Sequence, residues 1–392
     1  MGIEILIIGN GFDLAHDLET RYKDFLDFPN NTDFKDYIDK LPIYKKCLQT
    51  NVWMKHFINN YKNLNGENWI NFEEEIFEVI LSLNNHSFDR YFSEASHWII
   101  KSIDFGLNSF FNLKNINSLM EKVSTEHCEL RKKIDSEFFK EKGYSIILKQ
   151  PYEDTFCVYI QDFKGFIIFL YDQLRELTEA FQEYITQYVL RKVRKDKFDL
   201  TIRNKGRIIK AGYVFVLNFN YTNICEKLYK NSNLNMETIF LHGNVKNQDF
   251  CNLVLGSKSY TDFNKNINPE YNVFQKHNQR HKYGTVEAYQ DFYREKLSKI
   301  SDGAQVNFHV IGHSLDESDQ RLLKSIFNSK KDSIIYIYYH EEKIHQKLIK
   351  NITEIITEDE VTKRVRFVKQ DDKHRGIFQE KMGPIVTSRS LF

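Results

Sequence analysis

The chain has 392 residues, enough for one large domain carrying an insertion or for two to three ordinary domains. Its 55 Lys and Arg against 54 Asp and Glu leave a net charge of +1, which excludes a global field drawing it onto nucleic acid or acidic lipid. An aromatic content of 15% with only 5 prolines excludes a largely disordered chain and predicts order nearly end to end.

The first element is the run Ile5-Leu6-Ile7-Ile8, mostly β-branched, which reads as a buried parallel strand. It turns at Gly9-Asn10-Gly11 into Phe12-Asp13-Leu14-Ala15, a helix-compatible run. The first glycine suits a tight turn and the second lets a phosphate approach backbone N–H groups at the positive helix end. Leu14 replaces the third glycine of the dinucleotide fingerprint, so a plain strand-to-helix corner stands as the alternative. From about Tyr22 to Val189 the apolar period is helical. Trp69 to Ile76 opens one amphipathic segment there, and Gly165 to Leu190 forms a long one. The basic run Arg191 to Lys195 reads as a solvated helix end beside the C-terminal dipole, with nucleic-acid contact as the other reading.

After Gly212 the pattern changes to short apolar runs separated by loops. Strands are predicted at Tyr213 to Leu217, Thr238 to Leu241, Asn252 to Leu255, Val306 to Ile311 and Ile334 to Tyr339, with Val365 to Val368 as an edge strand. The fold class is therefore α/β: an open, mainly parallel, Rossmann-like sheet with a large helical insertion after its first strand. Residues 1–26 and 211–392 form the nucleotide-binding α/β domain in this reading, and 27–210 form the helical insertion domain.

The five cysteines are scattered, without C-x-x-C spacing, so a reduced, cytoplasmic protein without a zinc module is expected. No apolar stretch reaches membrane-spanning length, the N-terminus lacks a basic region and a cleavage site, and Leu6 stands where myristoylation wants Ser or Thr. No membrane partner is predicted.

Open α/β sheets place ligands at the carboxyl ends of their strands. Those ends read Gly9-Asn10-Gly11, Leu217-Asn218-Phe219-Asn220-Tyr221-Thr222, Leu241-His242-Gly243-Asn244 and Gly312-His313-Ser314-Leu315-Asp316. Each has a plainer reading. Asn220 could cap the helix containing Ile224 and Leu228, and His242 could be a hydrogen-bonded turn histidine. Ser314 lacks the following glycine of a nucleophile elbow and is expected to cap a helix begun by Asp316 and Glu317. Asp13 and His16 could face the site or tie their helix to the sheet. Phe274 to Tyr283, with Lys276, His277, Arg280, His281 and Lys282, reads as a solvated loop rather than an RNA or phosphate patch.

The opening Ile8-Gly9-Asn10-Gly11-Phe12-Asp13-Leu14-Ala15-His16, followed by Thr20, Tyr22 and Phe25-Leu26, resembles the AbiH-type phage abortive-infection proteins, as does Trp69 to Glu75. A second resemblance lies in the later clusters. Val216 to Tyr221 resembles the Thr-Thr-Asn-Tyr-Asp strand end of sirtuin-like domains, with Asn220 at the catalytic asparagine and Thr222 where an aspartate is usual. Leu241-His242-Gly243 matches their Leu-His-Gly, whose histidine is catalytic, and Val310 to Leu315 resembles their Ile-Gly-Tyr-Ser-Leu cofactor turn.

The resemblance implies a sirtuin-like NAD-binding core in a defence protein, with NAD as substrate and no permanently bound cofactor. Catalysis falls to Asn220 and His242, and cofactor contact to Gly9, Asn10, Gly11, Phe12, Asp13, Thr222, Gly243, Gly312, His313 and Ser314. Cleavage of the bond from ribose to nicotinamide suits these residue types, because the leaving group is already activated and the enzyme mainly orients and stabilises charge. The expected function is an antiphage effector that hydrolyses NAD on infection, controlled by a phage-derived trigger and by homo-oligomer formation. The alternative is a non-catalytic module sensing NAD or ADP-ribose, engaging a phage or host partner through the insertion. A nuclease has little support, because no carboxylates cluster at metal-binding spacing.

Overall fold

The computed structural model describes residues 3–63, 71–85, 98–100, 120–122, 142–148, 156–192, 213–229, 235–246, 250–260, 267–301 and 304–369. The strands among them are β1 (Ile3–Ile8), β2 (Trp98–Ile100), β3 (Met120–Lys122), β4 (Tyr144–Leu148), β5 (Phe156–Ile160), β6 (Tyr213–Asn218), β7 (Asn235–Phe240), β8 (Val306–Ile311), β9 (Ile334–Tyr339) and β10 (Val365–Lys369). The chain divides into two units. One comprises Met1–Arg21, Tyr188–Val254 and Arg280–Phe392, and the other Tyr22–Gln187 and Leu255–Gln279.

The first unit holds a six-stranded open sheet in the order β10-β9-β8-β1-β6-β7, parallel throughout. From β1 the chain steps outward to β6 and β7, then crosses back to β8 and steps out the other way to β9 and β10. Strand order thus reverses between β1 and β8. Register sets what happens at the ends: Ile8 lies beside both Asn218 and Ile311, and Asn218 beside Phe240. Four strands therefore finish level, and Gly9, Phe219, Leu241 and Gly312 leave the sheet side by side.

Alternation along the strands distributes the side chains between the two faces. Ile5, Ile7, Phe215, Leu217, Phe308, Val310, Ile335 and Ile337 join one core. Leu323, Ile326 and Phe327 from the Glu317–Asn328 helix and Leu348, Ile352 and Ile355 from the Glu342–Ile355 helix belong to the same core. Each such side chain, fully buried, contributes about 1.5–3 kcal/mol. On β8, His309 bridges two neighbours, with Nε2 2.6 Å from Glu4 Oε2 and Nδ1 2.8 Å from Tyr338 Oη.

Arg364 ends the helix Glu358–Arg364 and is 6% exposed. Its Nη2 donates to the carbonyls of Phe327 at 2.9 Å and Lys330 at 3.0 Å, and its Nε to that of Ser333 at 3.2 Å. Arg364→Met is therefore expected to lower unfolding free energy by about 2–4 kcal/mol, since buried carbonyls lose their donors. Urea midpoints of the two proteins check this, and an unchanged midpoint would contradict it.

Two strand expectations need correction. Asn252 to Leu255 joins neither sheet. Leu255 instead bonds the Gln279 side-chain amide, donating to Oε1 at 3.0 Å and accepting from Nε2 at 2.9 Å. A side chain takes the place of a neighbouring strand, which apolar periodicity does not reveal. The region Tyr22 to Val189 is not helical throughout, because it holds a four-stranded antiparallel sheet in the order β3-β2-β5-β4. These strands span only three to five residues, too short for a period of two to stand out beside long helices.

The second unit's helices are pinned by caps and rings. Asn51 Oδ1 accepts from the backbone N–H of Trp53 and Met54 at the start of the Val52–Asn63 helix, and Asn51 Nδ2 donates to Gln173 O at 2.6 Å. Phe57 and Phe72 stack at 3.9 Å, and Tyr22 stacks on Phe72 at 4.2 Å. The segment predicted to begin at Trp69 forms a helix from Phe72 to Asn85, with Asn71 Oδ1 accepting from Glu73 N–H; Trp69 and Ile70 lie outside the described residues. The long segment near Gly165 to Leu190 is helical from Phe163 to Tyr184 and continues as a π turn, Ile185–Val189. Arg191 and Lys192 end the described stretch, and the rest of that basic run lies beyond it. Among the described residues Cys47 and Cys225 are buried thiols outside any disulfide, and no helix is long and apolar enough to cross a membrane.

Candidate active site

The strand-to-helix corner after β1 is built by close backbone approach. Gly9 N–H donates to Ile311 O at 3.0 Å, Gly11 N–H to Gly312 O at 2.8 Å, and Phe12 N–H to Gly9 O at 2.8 Å. A Cβ on Gly9 would lie 2.6 Å from His313 Cα, and one on Gly11 2.7 Å from Gly312 Cα. The glycines are thus required so that two backbone turns can touch. The N–H groups of Gly9 and Gly11 themselves are thus bonded to carbonyls across the corner. Asn10 serves the same corner, its Oδ1 accepting from Thr20 Oγ1 at 2.7 Å.

Asp13, buried with Phe12 in the Asn10–Leu14 helix, joins the end of β6. Its Oδ1 accepts from Asn220 Nδ2 at 3.0 Å and its Oδ2 from Thr222 Oγ1 at 2.7 Å. Asn218 shapes the loop that makes this possible. Its Oδ1 accepts from Asn220 N–H at 2.7 Å and its Nδ2 donates to Thr222 O at 2.9 Å. Asn220 is therefore not the cap of the Ile224–Tyr229 helix, since its amide reaches sideways to Asp13. Asn220 Oδ1 is buried and has no hydrogen-bond partner. Burial pushes the Asp13 carboxyl up from 3.8 to about 7, against the opposing effect of the Thr222 and Asn220 bonds. His16 turns back on its own helix. Its Nδ1 lies 2.7 Å from Phe12 O, and burial lowers its pKa to about 4, leaving the ring neutral.

A second cluster gathers the ends of β7 and β8. His242 Nε2 lies 3.0 Å from Asp319 Oδ1, and Arg280 Nη2 donates to the same oxygen. Arg280 Nη2 is consequently 2.9 Å from His242 Nε2, while the buried Arg280 Nε has no partner. His313 Nε2 is 3.6 Å from Asp319 Oδ2, so one carboxylate serves two imidazoles and a guanidinium. Leu315 N–H donates to His313 Nδ1 at 2.9 Å, which puts the His313 proton on Nε2, facing Asp319. Phe219 stands edge-on to both rings, 5.2 Å from His242 and 4.4 Å from His313.

The turns carrying these histidines are unusual. Gly243 has φ +83, and a Cβ there would fall 2.1 Å from Asn252 O. The segment that failed to form a strand thus braces the His242 loop, with Val254 N–H donating to His242 O at 2.8 Å. Leu315, fully buried, has φ +56, a conformation costing a branched residue roughly 1–2 kcal/mol. Ser314 does not cap the next helix. Asp316 precedes Glu317–Asn328 without a capping bond, its Oδ1 2.8 Å from Lys347 Nζ, while Ser314 O accepts from Asn351 Nδ2 at 2.8 Å.

Comparison with protein families gives one decisive match: the model described as "Bacteriophage abortive infection AbiH" covers residues 5–340. The chain belongs to the AbiH family. No curated protein matches it in a direct comparison. All four strand ends of this AbiH-family chain fall inside the matched region.

Two members of the AbiH chain's histidine cluster were not singled out by sequence as site residues. Asp319 sits in the first turn of a helix, where an acidic residue reads as dipole complement. Arg280 belongs to the stretch expected to be a solvated loop, but Lys276–Lys282 is a helix in which Arg280 is 4% and Lys276 2% exposed. The available signal was spacing: Arg280 falls four residues after Lys276 and four before Gly284. Among the described residues no group of three or more His, Cys, Asp or Glu is arranged for a metal.

The raised Asp13 pKa fixes a pH dependence for the AbiH chain. Between about pH 4 and 7 the folded state binds this proton and the unfolded state releases it, so stability falls as pH rises through that window. Asp13→Asn removes the titration. Urea unfolding is expected to show the variant gaining on the native chain from pH 5 to pH 8, on the order of 1 kcal/mol per pH unit up to about 7. Parallel pH profiles would contradict the assignment.

Proposed function

We propose that this AbiH-family protein is an abortive-infection effector that hydrolyses NAD, releasing nicotinamide and ADP-ribose. The reading adopts a sirtuin-like Rossmann core. One observation carries it: the strand order, counted within the sheet, is 3-2-1-4-5-6, and the polar clusters lie where that order reverses. Doubly wound sheets of this order bind dinucleotides outside the carboxyl ends of the strands at that reversal. Two buried polar atoms without partners, Asn220 Oδ1 and Arg280 Nε, lie in the clusters at these ends, as a site completed by its ligand requires.

The chemistry assigns distinct tasks. Water adds to the anomeric carbon as its bond to the nicotinamide nitrogen breaks, and the electron pair leaves with nicotinamide. His242, whose Nε2 lies 3.0 Å from Asp319 Oδ1 and 2.9 Å from Arg280 Nη2, takes the proton lost by water. Asp319 offsets the imidazolium charge that follows. Asn220 Oδ1 accepts a hydrogen bond from the attacking water or a ribose hydroxyl. With the Gly9 and Gly11 N–H groups committed, Arg280 Nε is the donor assigned to the anionic part of the ligand.

The test pairs binding with turnover, following nicotinamide release chromatographically while calorimetry reads affinity for NAD and ADP-ribose. Release of both products supports the enzyme. Tight binding without release, in lysate from infected cells as well as in buffer, would favour a nucleotide sensor instead. That second reading draws on the bonding of the His242 and Asp319 side chains within the protein.

A further inference from the structure

The cluster at the end of β6 has a direction. A primary amide offers two donors on nitrogen and an acceptor on oxygen, and its environment decides which end faces a ligand. Asp13 can only accept when ionised, so it selects the Asn220 nitrogen and turns Oδ1 away. Thr222 occupies the other carboxylate oxygen, and Asn218 Oδ1 holds the Asn220 backbone N–H. The acceptor so presented is 4% exposed at the residue level and unpartnered.

We propose that Asp13 and Thr222 are positioning residues that hold the Asn220 amide with Oδ1 turned away from Asp13, as an acceptor for an O–H donor: the attacking water or a ribose hydroxyl. The assignment rests on the NAD reading for the identity of the donor, but not for the orientation of the amide. Placing a carboxyl where burial disfavours its charge is costly, and groups so perturbed concentrate at functional sites. The link between Asp13 and Asn220 uses only the nitrogen end of the amide and leaves its buried oxygen end for a further donor.

Residue exchange tests the orientation. Asp13→Asn replaces a carboxylate that can only accept by an amide that can present either end, so the Asn220 amide loses its fixed orientation and kcat is expected to fall about 100-fold with a smaller change in KM. The exchange Asp13→Asn with Asn220→Asp places a carboxylate oxygen where Asn220 Oδ1 stood and is expected to recover at least about tenfold. Thr222→Val removes the hydroxyl and is expected to lower kcat, and Thr222→Ser, which keeps it, is expected to restore most of that loss. Equal activity in the single and double exchange variants would overturn the proposal.

Crystals of the ligand-free protein supply the arm independent of NAD. An ordered water is expected about 2.7–3.2 Å from Asn220 Oδ1, and a protein donor there would overturn the proposal. If nicotinamide release fails while this water is present, the NAD reading falls and the oriented acceptor stands. Affinity for NAD carrying fluorine in place of the nicotinamide-ribose 2′-hydroxyl separates the donors. A loss of tenfold or more identifies that hydroxyl, and unchanged affinity identifies water.

Discussion

Gly312→Ala is expected to destabilise the protein by about 3–5 kcal/mol, far beyond an ordinary glycine substitution. The turn after β8 has φ +62 at this residue, and an added Cβ would lie 2.3 Å from Phe12 N and 2.5 Å from Gly11 C. Those atoms are backbone, so the clash cannot be relieved by rotating a side chain. The corner would have to open, breaking the bond from Gly11 N–H to Gly312 O and disturbing His313 beside it. Gly284 separates conformation from crowding: its φ is +72, but a Cβ added there would meet nothing within 4 Å. Gly284→Ala should therefore cost only the conformational part, about 1–2 kcal/mol. Urea denaturation of both variants decides the matter. Equal losses would mean that the close packing of the two turns contributes nothing.

His242→Ala is expected to reduce NAD hydrolysis by about 100- to 10,000-fold, the range for removing a positioned general base. The substitution leaves Asp319 paired with Arg280, so the buried carboxylate keeps a counter-charge and the fold should survive. Asn220→Ala is expected to cost about 100-fold, because it removes one hydrogen bond to a group whose charge develops in the transition state. Binding of ADP-ribose should weaken less than turnover in both variants. Loss of affinity with kcat unchanged would instead make these residues uniform binders.

The sequence made the sheet legible because buried parallel strands announce themselves. β8 and β9 have the predicted bounds, and β1, β6, β7 and β10 differ by a few residues at their ends. Each contains a short apolar run rich in β-branched or aromatic residues. The reversal in strand order was not readable, since sequence order does not reveal which edge a strand joins. Nor was the role of the glycines. Gly-x-Gly after a strand serves a phosphate or another backbone equally well, and only the approach of Gly312 distinguishes them. Asp13 was legible as a candidate, but its partners lie more than 200 positions away in the sequence. Arg280 was hidden by composition: a stretch with three basic residues and two histidines reads as solvated, whereas its charge is neutralised in the interior by Asp319.

Thr222 shows how a departure from an expected pattern can be compensated. The sirtuin resemblance of the strand end would put a carboxylate at that position, and the hydroxyl there is a weaker hydrogen-bond partner. The carboxyl within reach of the same loop comes instead from Asp13, which bonds both Thr222 and Asn220. The cluster thus takes its carboxyl from the helix after β1 and its hydroxyl from the loop after β6.

The most direct measurement of the central claim is nicotinamide release from NAD by the purified protein, assayed in buffer and in phage-infected lysate, beside His242→Ala and Asn220→Ala. Stoichiometric nicotinamide and ADP-ribose are expected from the native chain, and loss of both products in each variant. Undiminished release by His242→Ala, or no release by the native chain in either condition, would contradict it.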